Sequence, residues 1–265
     1  NKVFNCTSCR LPAYICLNIS METNSPSREW FTSPFSYKLY VNTTGNQAEI
    51  FVNQLIQYLH PVAASLVLDS ACGQGLISRR LASLGFQVTG VDLSAFNIDQ
   101  ASEAGTDNPE FYLHDIRLPF WGNYFQLALN LSDNFGYYRT RREHDSAMRT
   151  IASSLRPGGL FVIDYPNTHY MESKPAEQEL KQVGVTHYRI QNGQNSTHFL
   201  QTITVTDPSL KEPLLFSLQR AKLSLGDFTD MLSFQKMQIQ EVFGDYNLGD
   251  YNLHEMPRLI IIAKK

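Results

Sequence analysis

Apolar positions change period along this chain. Phe51, Leu55, Tyr58 and Leu59 recur at helical spacing and stop before Pro61, which predicts a helix. The run 65–69 is short and apolar, and it ends in an acid and a glycine-rich turn, as a buried strand does. Ile77, Leu81 and Leu84 then mark a helix face closed by Gly85. A second strand is expected over 86–91, ending at Asp92, and Ser94 is placed to cap the helix bearing Ile98 and Ala101, which Gly105 ends. Strands over 111–113 and 125–129 end at Asp115 and Asn130. Met148, Ile151, Ala152 and Leu155 line a further helix that stops at Pro157-Gly158-Gly159, and a fifth strand, 160–163, ends at Asp164. Five apolar strands separated by helices imply an α/β fold with a parallel sheet covered on both faces.

In such sheets ligands bind beyond the carboxyl ends of the strands, near the point where strand order reverses. Asp69, Asp92, Asp115, Asn130 and Asp164 each end a predicted strand, so all five are expected on one rim. Between the first strand and its helix lies Asp69-Ser70-Ala71-Cys72-Gly73-Gln74-Gly75. Glycines there let backbone approach a ligand and turn sharply into a helix. The third glycine of a dinucleotide fingerprint falls on Ser78 instead. Asp92, at the end of the next strand, stands where a carboxylate accepts hydrogen bonds from both ribose hydroxyls. A nucleoside cofactor follows from this pattern; its type does not.

Composition narrows the partners. Hydrophobic residues make up 43% and charged residues 18% of 265, with 16 Phe, 13 Tyr and 2 Trp, so the chain can bury a sizeable core and disorder is excluded. A formal charge of −3 and no run of Lys or Arg argue against a nucleic-acid partner. No stretch reaches the ~20 apolar residues of a membrane-spanning helix. Cys6 and Cys9 form one C-x-x-C followed only by Cys16, too few ligands for a structural zinc, and no metal is expected. This cysteine usage fits a reducing, cytoplasmic setting. Residues 1–20 read either as a weak secretory signal or as sequence upstream of a natural start at Met21, which is followed by a polar opening.

A resemblance now enters. The string 67–75, Val-Leu-Asp-Ser-Ala-Cys-Gly-Gln-Gly, resembles the first motif of class I S-adenosylmethionine-dependent methyltransferases, and 88–94, Val-Thr-Gly-Val-Asp-Leu-Ser, resembles their second. His114-Asp115-Ile116-Arg117 is similar to the acidic position after the third strand, and Leu155-Arg156-Pro157-Gly158-Gly159 to the turn before the fifth. The segment 130–138 is closest to the bacterial small-molecule type. The resemblance implies a Rossmann-like seven-stranded sheet, mostly parallel with the last strand antiparallel, and S-adenosylmethionine as cofactor. It implies that backbone around Ala71, Gly73 and Gly75 cradles the methionine part, with Asp69 near its amino group. Asp92 holds the ribose, Leu93 packs on the adenine, Asp115 accepts from the adenine amino group, Ile116 supplies a backbone amide, and Asn130 contacts the methionine end. Cys72 fits the turn as a small residue rather than as a nucleophile.

On this reading, 1–47 form an N-terminal segment and aromatic lid, 48–167 the cofactor-binding core, 168–225 an inserted antiparallel flap and 226–265 the end of the core. Three flap strands are expected, at 185–190, 198–205 and 214–223, with Asn192-Gly193 as the first hairpin turn and Asp207-Pro208 before the third. A helix over 226–235 and strands over 237–243 and 258–263 complete the chain. Trp30, Phe31, Phe35 and Tyr37 read as a hydrophobic latch, and Tyr40 as the lid residue that reaches the cofactor.

Methyl transfer needs alignment and exclusion of water more than a dedicated base, so no catalytic side chain is assigned. Candidates for the acceptor are Asp133, Tyr137, Tyr138, Tyr165, His187 and His198, each histidine having an ordinary strand role as its alternative. Asp133 stands out because relatives carry neutral residues there, which suggests an amine or hydroxyl acceptor. The Asn/Asp-Pro-Pro-Tyr motif of base and amide methylases is absent, and no cysteine is placed for attack on cytosine. A small-molecule N or O acceptor leads, in a monomer or homodimer. A protein or RNA methyltransferase and a non-catalytic nucleoside-binding protein remain open, with a nicotinamide oxidoreductase further behind because of Ser78.

Overall fold

The computed structural model describes residues 26–265, and side chains at 26, 28 and 40–46 are outside the described set. Cys6, Cys9, Cys16, the stretch before Met21 and the Tyr40 side chain therefore lie outside the described residues. Helix α1 (Pro26–Phe31) leads into α2 (Pro34–Leu59). Ser33 caps α2 by accepting from the Phe35 amide, Pro34 opens it, and left-handed His60 closes it on the Ile56 carbonyl. The sequence places this helix only from about residue 51. Its earlier turns are concealed because Phe35 and Leu39 bury against one sheet whereas Phe51, Val52 and Leu55 bury against another. The polar run 42–47 between them reads as loop.

The main sheet contains β1 (Leu66–Ser70), β2 (Gln87–Asp92), β3 (Glu110–Leu113), β4 (Phe125–Asn130), β5 (Leu155–Pro166), β10 (Gln238–Phe243) and β11 (Arg258–Lys264). Their order is β10-β11-β5-β4-β1-β2-β3. Strands β1 to β5 pair in parallel, whereas β11 runs antiparallel to both β5 and β10. This is the Rossmann-like sheet with its last strand antiparallel. Strand order reverses between β1 and β4, which sets the ligand crevice at their carboxyl ends. Helices α3 (Leu76–Ser83), α4 (Ala95–Ser102), α5 (Arg141–Ser154) and α7 (Leu225–Phe234) follow β1, β2, β4 and the flap. Two buried clusters hold the layers together: Met148, Ile151, Phe161 and Phe228 in one, and Leu55, Val67, Leu81 and Leu129 in the other.

After β5 and the short α6 (Thr168–Glu172) comes a separate antiparallel sheet, β6 (Gln178–Val183), β7 (Thr186–Gln194), β8 (His198–Thr206) and β9 (Leu214–Ala221). It has four strands where the sequence predicts three. Strand β6 escapes because Gln178-Glu179-Leu180-Lys181-Gln182 is an edge with little apolar content. Asn192-Gly193 is not a turn: it continues β7 and pairs with Gln201 and Leu200. The turn lies at 195–197, where the Asn195 side chain accepts from the amides of Thr197 and His198. Trp30, Phe35 and Leu39 pack on Tyr188, Ile190, Ile203 and Leu218 of this sheet, so the N-terminal aromatics form a latch on the flap. Among the described residues, no helix is long and apolar enough to cross a membrane.

Candidate functional site

The glycine-rich turn leaves β1 with Ala71, Gly73 and Gly75 at φ of 61°, 56° and 78°. A Cβ on Gly75 would strike the Phe111 ring, and one on Gly90 would come within 2.6 Å of it, so both glycines are demanded by that close packing. Gly73 differs: a Cβ there would meet nothing within 4 Å, so its backbone faces open space. The turn is tied down by Cys72 N–H donating to the Val91 carbonyl (2.9 Å) and Gly73 N–H donating to Asp92 Oδ2 (2.9 Å).

Asp69 is 2% exposed and accepts from Ser78 Oγ at 2.5 Å. Burial pushes its pKa up to about 7; the Ser78 hydrogen bond opposes this and the Asp92 charge adds to it. Ser78, where a dinucleotide fingerprint carries glycine, is thus the partner that Asp69 needs. Asp92 ends β2 and accepts from Ser94 N (2.8 Å) and Asn97 Nδ2 (3.3 Å) as well as from Gly73. Burial raises its pKa as well, against those bonds. Asn130, fully buried, donates to Ser70 Oγ at 3.0 Å, while its Oδ1 has no partner. Asn134 Nδ2 donates to the Ala71 carbonyl (3.1 Å), stitching the loop after β4 to the glycine turn. Leu93 is half-buried beside these groups in sequence, and Ile116 packs on the main core.

Asp115, 5% exposed, is held by Arg117, whose Nε donates at 3.0 Å and whose terminal nitrogen donates at 2.6 Å. Burial would raise its pKa, but the Arg117 bonds prevail and lower it. Arg117 also bonds Glu143 and lies 5.6 Å from the Tyr138 ring.

The acceptor candidates separate. Asp133, expected to face an acceptor, spends its charge within the protein: it bonds Arg258 and sits 3.6 Å from Arg220. Arg258 also bonds Asp164, through Nε at 2.9 Å, and Tyr246 donates to the other Asp164 oxygen at 3.0 Å. Tyr165 is fully buried and its hydroxyl donates to the Ala221 carbonyl, which removes it from an acceptor's reach. His187 points outward between buried Thr186 and Tyr188, and His198 opens β8 opposite Ala221, its Nδ1 beside Thr197 Oγ1. Tyr137 is half-buried, edge-on to Phe31 at 4.8 Å and 5.6 Å from the Arg220 guanidinium. Sequence reasoning missed Arg220, Arg258 and Tyr246. Arg220 alone left a signal, since it follows Phe216 and Leu218 in the inward phase of β9.

Comparison with known proteins fits this geometry. Residues 67–159 match the family model described as "Methyltransferase domain". Glycine N-methyltransferase of Rattus norvegicus is 31% identical over 153 residues, 52% of this chain and 52% of that protein, so the match spans about half its length. A dTDP-3-amino-3,6-dideoxy-alpha-D-glucopyranose N,N-dimethyltransferase of Streptomyces fradiae is 34% identical over 112 residues, covering 42% of each chain. In three dimensions, an S-adenosylmethionine-dependent methyltransferase of Clostridium acetobutylicum superposes with a TM-score of 0.73 at 16% identity, over 87% of this chain and 96% of that one. Residues 67–159 are thus similar to a methyltransferase domain, and the sheet that carries them has the fold of S-adenosylmethionine-dependent methyltransferases.

Proposed function

We propose that the chain transfers a methyl group from S-adenosylmethionine to a nitrogen of a small molecule. The observation that carries this is the rim on three adjacent strands, where Asp69, Asp92 and Asn130 surround a glycine turn whose Gly73 faces open space. The residues fit the cofactor. The unpaired Asn130 Oδ1 is a buried acceptor beside β1, and with the Asp69 carboxyl it suits a ligand ammonium. Asp92 accepts three protein hydrogen bonds, and a carboxylate offers about four lone-pair sites, which leaves capacity for a ribose hydroxyl. Asp115 and Ile116 follow β3, which pairs with β2, and the family resemblance assigns them to the adenine.

When bound, the cofactor supplies an electrophilic methyl carbon on sulfur. The chain's own part is to align the acceptor and keep water out. The loop 131–138 and the end of β9 close over the rim: Ala221 N–H donates to the Gly136 carbonyl at 2.8 Å, and Tyr165 fastens Ala221 from beneath. An ammonium acceptor must lose its proton before its lone pair attacks. Both relatives named above are N-methyltransferases, which supports nitrogen over oxygen.

Calorimetric titration with S-adenosylhomocysteine tests the reading. One-to-one binding is expected, weakened about tenfold or more in Asp92→Ala by loss of charge-assisted hydrogen bonds. Transfer of labelled methyl to members of a panel of small amines is then expected. Folded wild-type protein that binds no S-adenosylhomocysteine would overturn it.

A further inference from the structure

Arg220 reaches from the inner face of β9 to the loop after β4. Its Cγ lies 3.0 Å from where a Cβ on Gly136 would stand, and Gly136 has φ +96°, so glycine is required for the two segments to approach this closely. The Arg220 side chain is only 16% exposed. A guanidinium so enclosed ordinarily spends its five donors on carboxylates and carbonyls. Arg258, 13% exposed, does so, binding Asp133 and Asp164. Among the described residues, Arg220 Nε is buried without a hydrogen-bond partner, and a terminal nitrogen stands 3.6 Å from the nearest Asp133 oxygen, a longer approach than Arg258 makes. The two arginines balance the two aspartates in charge but not in hydrogen bonds.

The Tyr137 ring lies 5.6 Å from the same guanidinium, and burial raises the pKa of its phenol, which keeps the hydroxyl protonated and able to donate. Tyr137 is seven residues beyond Asn130, on the loop that Asn134 joins to the glycine turn. The unspent Nε of Arg220 therefore belongs to a guanidinium that lies beside the loop leaving the cofactor rim, over the ring of Tyr137. A planar fork of N–H groups matches the paired oxygens of a carboxylate or a phosphate.

We propose that Arg220, with Tyr137, is the recognition site for an oxyanion carried by the methyl acceptor, a carboxylate or a phosphate. This rests on the methyltransferase reading for its biological meaning, but not for its physical test. The anion neutralises nothing covalently; it takes the hydrogen bonds that Arg220 leaves unmade and fixes one end of the acceptor, leaving the other end at the rim.

The test uses full-length protein saturated with S-adenosylhomocysteine, titrated with acetate and, in a second arm, with inorganic phosphate. The readout is the 15N-detected arginine Nε–H resonances. A saturable shift of the Arg220 resonance is expected with one of the two anions, and which one responds identifies the class. Arg220→Gln should abolish saturable anion binding, Arg220→Lys should restore part of it, and Tyr137→Phe should weaken it about threefold to tenfold. S-adenosylhomocysteine affinity should stay unchanged in all three. No saturable shift with either anion, while S-adenosylhomocysteine still binds, overturns the proposal and leaves the methyltransferase reading intact. Equal anion binding in a folded Arg220→Gln or Arg220→Lys protein also overturns it. Failure of S-adenosylhomocysteine to bind sinks the methyltransferase reading instead, and the anion titration then judges Arg220 on its own.

Discussion

At the scale of single residues, Asp69 couples the site to pH. Its folded pKa of about 7 lies above the ordinary carboxylate value of 3.8, so the folded state holds a proton that the unfolded chain releases. That proton's contribution to stability is complete below about pH 4 and is lost as pH rises through 7. Unfolding free energies from denaturant titrations between pH 5 and 8 are expected to fall by roughly 2.5 kcal/mol from this group, and the decline should be correspondingly shallower in Asp69→Asn. Binding of a ligand ammonium should run the other way, strengthening as Asp69 ionises. The glycines divide along similar lines. Gly75→Ala forces a Cβ into the Phe111 ring at φ +78° and should cost about 2–4 kcal/mol of stability, combining backbone strain with overpacking. Gly73→Ala meets no atom, so about 1 kcal/mol is expected from its left-handed backbone alone. S-adenosylhomocysteine affinity should nevertheless fall in Gly73→Ala, because the methyl group occupies the cradle. Chemical denaturation and calorimetry on the two variants separate the effects.

At the scale of elements, the polar ends of five strands were legible because each follows an apolar run with its own turn chemistry. Asp69, Asp92, Asp115 and Asn130 stand where the period change puts them. The partners were not legible. Arg258 binds Asp164 from 94 residues away and Asp133 from 125, and no local pattern announces either pairing. Asp133 looked like an exposed acceptor contact because sequence cannot show that β11, lying antiparallel beside β5, brings an arginine back to the end of β5. Likewise Tyr165 reads as a rim residue by position, yet β5 runs two residues past Asp164 and buries it. The clamp has a measurable consequence. Arg258→Met leaves Asp164, 1% exposed, without its countercharge, and a loss of about 3–5 kcal/mol is expected in denaturant unfolding. Adding Asp164→Asn should recover part of that loss, since the uncompensated charge then disappears.

At the scale of the whole molecule, two cores share one helix. The first turns of α2 bury Phe35 and Leu39 against the flap sheet, while its last turns bury Phe51, Val52 and Leu55 against the main sheet. Beyond α2, the flap is fastened where β9 ends: the Ala221 carbonyl accepts from Tyr165, its amide donates to Gly136, and Thr168 donates to the Leu223 carbonyl at 2.7 Å. The rest of the flap rests on α1 and α2 through Trp30, which is fully buried and edge-on to Phe216 at 5.1 Å. Two attachments of different kinds imply two levels of opening. Trp30→Ala weakens the apolar one, leaving Phe35 and Leu39 in place, at a local cost of about 3–5 kcal/mol for a fully buried Trp, without touching the hydrogen bonds at 221–223. Hydrogen exchange should then accelerate in β7, β8 and the first half of β9, while β1, β4 and β5 keep their wild-type protection. Uniform acceleration across both sheets would mean that flap and main sheet open as one unit. In that case α2 transmits the loss of the latch into the cofactor rim, and Trp30→Ala should weaken S-adenosylhomocysteine binding as well.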